Sequence, residues 1–193
     1  MRTAAITRKT AETEITASLC LDGGAVCVHT GVGFFDHMLT AFTVHGSFGL
    51  ELACKGDLEV DCHHTVEDTG IVLGKAFAQA LGDKSGIARY GSFFVPMDEA
   101  LGFCAADIGG RPFLVYDARL FTERVGDFDT CMGKEFFRAF AVNSGITLHL
   151  RAPYGENDHH ILEALYKAAG HALQIACTQT NGKAVLSTKG HVD

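Results

Sequence analysis

The run Asp61-Cys62-His63-His64-Thr65-Val66-Glu67-Asp68 returns in the second half of the chain as Asp158-His159-His160-Ile161-Leu162-Glu163. His159 lies ninety-six positions after His63, and each copy sets a carboxylate four residues after its first imidazole. Apolar residues at helical spacing follow both copies, so each motif opens a helix. Residues i and i+4 stack on one helix face, which lets His63 close with Glu67, and His159 with Glu163, on one ion. His64 and His160 point about 100° away around the same helices, so each serves a different ion if the pair lies inside the helix. Imidazole and carboxylate without thiolate suit a borderline-to-hard divalent ion. One such motif is as readily a polar helix start; two copies make a metal constellation and constrain the chain to fold as a duplicated unit.

The remaining sequence repeats in the same order. Residues 4–9 read as a strand, and Ile15, Ala17, Leu19 and Leu21 alternate as a second. Asp22-Gly23-Gly24 then reads as the turn of a hairpin into a third strand at 25–29. Gly31-Val32-Gly33 opens a helix bearing Phe34, Phe35, Met38, Leu39 and Phe42; these glycines read as a turn rather than a phosphate loop, having no parallel strand before them. Leu50, Leu52 and Cys54 alternate before the first motif. In the second half, 92–96, 100–108 and 112–120 read as strands, with Gly109-Gly110 as a hairpin turn. A helix at 131–143, a strand at 146–151 and the second motif follow.

Each half is therefore strand, strand, strand, helix, strand, helix. The expected fold is α+β and internally duplicated, each half a four-stranded mixed sheet backed by two helices. The halves are 1–88 and 89–193, joined through a Gly-rich turn at 82–91 into one catalytic unit. Aligning Phe34-Phe35-Asp36-His37 with the helix that contains Lys134-Glu135-Phe136-Phe137 puts His37 near Glu135 in the repeat. The candidate ligands are then His37, His63, His64, Glu67, Glu135, His159, His160 and Glu163, with manganese the first choice of metal.

Composition narrows the partners. The 193 residues carry a net charge of −7 and no Lys/Arg run, which argues against nucleic acid and anionic membrane as partners. No stretch approaches a membrane span, and the N-terminus lacks a signal-peptide core. Seven cysteines without a CxxC fit free thiols in a reducing cytosol. Cys62 reads as a small buried residue rather than a ligand, because the second copy has Asp158 there. Arg89, Arg111 and Lys189 stand singly at turns, where cations are usually solvated; together they suit a phosphate. Glu12 and Glu14 precede the alternating strand and suit acid–base work. His149 reads as a strand-surface or core residue, and His29, His171 and His191 as ordinary polar positions.

The stretches Gly33-Phe34-Phe35-Asp36-His37-Met38-Leu39, His63-His64-Thr65-Val66-Glu67-Asp68, Pro96-Met97-Asp98-Glu99-Ala100-Leu101, Gly110-Arg111-Pro112, Asn157-Asp158-His159-His160 and Ser187-Thr188-Lys189-Gly190 resemble the imidazoleglycerol-phosphate dehydratase family of histidine biosynthesis. The resemblance covers nearly the whole chain. It implies a lyase, a hydro-lyase that converts imidazole glycerol phosphate to imidazole acetol phosphate, with two manganese ions per active site. It further implies a homo-oligomer of twenty-four subunits built from trimers, with sites between subunits. The family's ligands fall on His37, His63, His64, Glu67, His159, His160 and Glu163, and the remaining ligand position on Glu135, where many members have histidine. Its substrate contacts fall on Glu12, His45, Arg89, Arg111, Ser187 and Lys189, and also on the ligands His37, His63, His64 and Glu67. Glu12 and His45 are the expected catalytic pair. The tail His191-Val192-Asp193 departs from the family, where apolar residues follow the lysine-glycine pair.

Two rival readings share the metal motif. A binuclear metallohydrolase would turn over an ester or amide with no need for an imidazole. A metal-storage or assembly module would leave Arg89, Arg111 and Lys189 without a shared task.

Overall fold

In the computed structural model, which describes residues 1–180, 182 and 185–189, the first half comprises β1 (Thr3–Lys9), β2 (Thr13–Cys20), β3 (Val26–His29), α1 (Gly33–His45), β4 (Gly49–Gly56) and α2 (His63–Leu81). The second comprises β5 (Tyr90–Met97), β6 (Ala100–Asp107), β7 (Phe113–Ala118), a small ribbon of β8 (Arg124–Val125) and β9 (Phe128–Asp129), α3 (Met132–Ser144), β10 (Thr147–Tyr154) and α4 (Asp158–Cys177). The tail His191-Val192-Asp193 lies outside the described residues.

Strands β2 and β6 each bury every second side chain, which gives a sheet one apolar face to cover. The two sheets have the same order, β1-β2-β4-β3 and β5-β6-β10-β7. In each the first three strands are antiparallel and the last is parallel to its neighbour. This is the duplicated mixed-sheet fold expected from the motif.

Two expected hairpins are corrected. Strand β3 does not return along β2, because β4 already occupies that edge over the full ladder from Thr13↔Gly56 to Cys20↔Gly49. Instead Gly23 (φ 99°) and Gly24 (φ 150°) carry the chain across the end of β4, and β3 pairs parallel to its far side, Val26 opposite Leu50. The same holds for Gly109-Gly110: β10 fills the free edge of β6, and β7 pairs parallel to β10 with Phe113 opposite Thr147. The true hairpins are β1–β2 and β5–β6. The β8–β9 ribbon, between β7 and α3, has no counterpart in the first half.

Between the sheets lie the helices. Helix α2 covers β1 and β2, α4 covers β5 and β6, and the two layers meet where α1 crosses α4 and α2 crosses α3. Every buried position of α2 falls, ninety-six residues on, upon a buried position of α4, and every buried position of α1 falls upon one of α3 at a shift of ninety-eight. At that second shift His37 is the counterpart of Glu135.

Aromatic rings fill the helix layer. Phe77 meets Phe140 edge-on with centroids 5.1 Å apart, and Phe136 stacks on Tyr166 at 5.3 Å. Both crossings are close because a glycine stands at each. A Cβ on Gly74 would come within 2.6 Å of the Phe140 carbonyl oxygen, and one on Gly170 would collide with that of Phe42. Among the described residues no helix is long and apolar enough to cross a membrane.

Gly170→Ala should therefore destabilise the fold by about 1–3 kcal/mol through overpacking against backbone that cannot yield. Gly33→Ala, where an added Cβ meets nothing within 4 Å, should change stability by less than about 0.5 kcal/mol. Thermal or denaturant unfolding of the two variants checks the contrast.

Candidate metal centre and anion hollow

Helix α2 begins on its first histidine and α4 one residue before it, and in both a side chain two residues ahead of that histidine satisfies its free backbone N–H. Asp61 accepts from the backbone N–H of His63 at 2.7 Å, and its repeat counterpart Asn157 accepts from that of His159 at 2.9 Å. Both histidine pairs thus lie inside helical turns and diverge. The rings of His63 and His64 are 6.1 Å apart at 74°, and those of His159 and His160 repeat both values.

The first imidazole of each pair faces its own glutamate, as spacing requires: His63 Nε2 lies 3.3 Å from Glu67 Oε2, and His159 Nε2 lies 3.1 Å from Glu163 Oε2. Across the α1–α4 crossing, His37 Nε2 reaches the same Glu163 oxygen at 3.3 Å. His37, His159 and Glu163 present donor atoms all within 4.8 Å of one another, the spacing and donor chemistry of a divalent-cation site. Burial opposes ionisation of Glu163, yet the Lys167 ammonium, with a lesser contribution from His37, holds its carboxyl below the usual range.

At the α2–α3 crossing Glu135 takes the position equivalent to His37, and among the described residues His63, Glu67 and Glu135 do not close into a three-donor group. Here Arg138 spans the carboxylates, its Nε 2.7 Å from Glu135 Oε2 and its Nη2 3.2 Å from Glu67 Oε1.

The second imidazoles go elsewhere. His64 Nδ1 lies 3.0 Å from Asp57 Oδ2, while its Nε2 is 3.7 Å from Glu12 Oε1. His160 Nδ1 lies 2.7 Å from Glu99 Oε2, with Asp98 at 3.7 Å from Nε2. The Asp57 hydrogen bond raises the affinity of His64 for a proton, and Glu99 does the same for His160. Glu99 itself is pulled down to about 2, first by His160 and then by the backbone N–H groups of Asn157 and Glu156. One chain therefore divides the eight expected ligands among four clusters.

His45 shares a hydrogen bond with His171, Nδ1 to Nε2 at 3.0 Å, and His171 stacks on Phe93 with centroids 4.2 Å apart. Burial lowers the proton affinity of both, and the neighbouring His171 and Lys167 charges lower that of His45 further.

Arg89, Arg111, Ser187 and Lys189 line one hollow of about 690 Å³. Arg89 is 8 % exposed and sits at φ 70°, with Nε 2.7 Å from Asp107 Oδ1 and Nη1 donating to the Leu186 carbonyl at 2.6 Å. One guanidinium thus fixes both the sheet side and the C-terminal wall of the hollow. Arg111 approaches the other Asp107 oxygen at 3.7 Å. The isolated cations of the sequence converge on one place suited to an anion.

The sequence pattern of the family described as imidazoleglycerol-phosphate dehydratase matches residues 30–173. The imidazoleglycerol-phosphate dehydratase of Acetivibrio thermocellus is 57% identical over 187 residues, covering 96% of both chains, and that of Listeria welshimeri is 55% identical, covering 98% of this chain and 99% of its own. The crystal structure of the Staphylococcus aureus enzyme superposes with a TM-score of 0.85 at 40% identity, covering 92% of this chain and 99% of its own. A Pyrococcus furiosus structure, described as a complex with (S)-C348, gives 0.85 at 34% identity, covering 97% of this chain and 100% of its own. The chain belongs to the imidazoleglycerol-phosphate dehydratase family. It is thereby an enzyme of the hydro-lyase class.

Within the family frame, several residues of the site escaped the sequence. Glu99 is the counterpart of Glu12: each directly precedes the second strand of its sheet, and the buried positions of β2 and β6 align at a shift of eighty-seven. That alignment, extended to the hairpins, was the available signal. Lys167 and Arg138 stand four and three residues after Glu163 and Glu135, so helical spacing carried a signal for them. Asp57 and His171 gave none, because their partners lie on other elements.

The His45–His171 pair carries a pH dependence whose sign is fixed. Both groups titrate below the ordinary value of 6.5 in the folded chain, so the fold favours them neutral. Their contribution is present above that value and is lost as pH falls through the folded-state values. Thermal stability followed from pH 7 to pH 5 should fall more steeply in the unaltered protein than in His171→Phe, which keeps the stacking on Phe93.

Proposed function

We propose that this member of the family dehydrates imidazole glycerol phosphate to imidazole acetol phosphate in histidine biosynthesis, using two divalent ions, manganese first among them. The observation that carries the metal part is the meeting of His37 with His159 and Glu163 across two helices that spacing alone could not have joined. His37, His159 and Glu163 would hold one ion; His63 and Glu67, with Glu135, belong to the other. His64 and His160, turned to separate faces, support a site completed by neighbouring copies in a twenty-four-subunit homo-oligomer. The cytoplasm is the proposed compartment.

The ions, when bound, supply Lewis acidity that holds and polarises the substrate's imidazole. The chain does the remainder. Arg89, Arg111, Ser187 and Lys189 hold the phosphate, guanidinium forks and ammonium sharing its oxygens. Anchoring that end fixes the glycerol carbons relative to the proton-transfer groups. The hydroxyl on the ring-adjacent carbon leaves, the next carbon gives up its proton, and the enol becomes the ketone with release of one water. Glu12, beside His64 at the β1–β2 turn, and His45, kept neutral by its surroundings, are the proposed groups that take and return protons. A storage role would leave the anion hollow without purpose.

Metal-stripped protein should produce no ketone from imidazole glycerol phosphate, and added Mn²⁺ should restore turnover; bound ions without turnover would return the metallohydrolase reading. Glu12→Gln should lower kcat by about 10²–10⁴ while leaving the ions in place. Glu67→Gln and Glu163→Gln should each deplete about one ion per chain by metal analysis, since each removes a single ligand set; loss of both ions from either variant would show that the two positions share a site.

A further inference from the structure

Both motif glutamates are engaged from two sides. Glu163 turns Oε2 to His37 and His159 and receives the Lys167 ammonium on Oε1 at 2.7 Å. Glu67 turns Oε2 to His63 and receives Arg138 Nη2 on Oε1 at 3.2 Å. The two cations are not repeat counterparts: Ile71 stands in α2 where α4 has Lys167, and Thr40 stands in α1 where α3 has Arg138. Lys167 comes from one turn further along the same helix as its glutamate, whereas Arg138 crosses from α3. A contact inherited through duplication would occupy equivalent positions. The same contact made from different positions marks a need of the glutamate itself.

We propose that Arg138 is a positioning residue of the second half-site, holding Glu67 Oε1 so that Oε2 stays beside His63 for a divalent cation. The inference rests on the metal reading given above. Arg138 is itself anchored, its Nε and Nη2 lying 2.7 and 2.6 Å from Glu135 Oε2, so the guanidinium is a fixed donor rather than a swinging one. A charge-assisted donor on one carboxylate oxygen restricts the rotamer and leaves the other oxygen to ligate. A cation so near the ion also repels it. The two effects have opposite signs, so affinity decides between them. The Arg138 side chain is 54% exposed, which lets it be replaced without opening the core.

The test is calorimetric titration of Mn²⁺ into metal-stripped protein, unaltered or carrying Arg138→Met or Arg138→Lys, with particle mass followed by light scattering. Arg138→Met should weaken one of two ions per chain about 10–100-fold and leave the other within about twofold, at unchanged particle mass. Arg138→Lys should recover part of the loss, since an ammonium keeps the charge but lacks the fork that joins Glu67 to Glu135. Two ions unaffected, one bound more tightly, or both weakened alike would overturn the assignment. Absence of Mn²⁺ binding by the unaltered protein would instead overturn the metal reading on which it stands.

Discussion

Everything at the centre of this molecule depends on two helix crossings made at backbone distance. Gly74 and Gly170 let α2 press on α3 and α4 on α1 with no side chain between them. Only at that separation does an imidazole on α1 reach a carboxylate on α4. The aromatic rings around the crossings, from Phe35 to Tyr166, are buried to under 2 % exposure and lock the angle. Close packing and ligand geometry are thus one constraint: a wider crossing would loosen the core and separate His37 from Glu163 together.

The charge arrangement follows from that framework. The motif glutamate at each crossing is given a cation, Lys167 for Glu163 and Arg138 for Glu67, and Arg138 also joins Glu67 to Glu135. Adjacent histidines, forced about 100° apart by helical geometry, cannot serve one cluster, and they do not. His64 and His160 settle on Asp57 and Glu99 at the sheet ends, away from the crossings. A different device builds the anion hollow, where a buried Arg89 in a left-handed conformation ties strand-end Asp107 to the Leu186 carbonyl. The motif histidines are therefore placed by helices, and the cations of the anion hollow by turns and loops.

Much of the fold was legible because periodicity records burial. The alternation of β2 and the helical spacing of Leu73, Phe77 and Leu81 located elements well, and the repeated motif correctly implied two matching halves. Strand partnership was less legible: Gly23-Gly24 and Gly109-Gly110 look like hairpin turns, and nothing local says that a longer strand from later in the chain has taken the edge. That His37 lies near Glu135 in the repeat was legible from an aromatic pattern, and the burial of α1 and α3 fixes the match at a shift of ninety-eight. The pairing of His45 with His171 was not, since no spacing rule links residues on separate helices.

The connection from β7 to α3 holds a last consequence. Asp158 accepts hydrogen bonds from the backbone N–H groups of Phe121 and Thr122, at 3.0 and 2.6 Å, and from the Thr122 hydroxyl, so the connection bearing the β8–β9 ribbon is tethered beside the second motif. The first half goes from β3 to α1 without any such segment. Length can change there without rotating a motif helix, whereas one residue gained or lost between Cys62 and Glu67 would turn every later side chain of α2 by about 100°. The two halves have been free to diverge in their connections and held in step along their helices, which is why the ancestry remains readable in the buried positions long after most surface residues have parted.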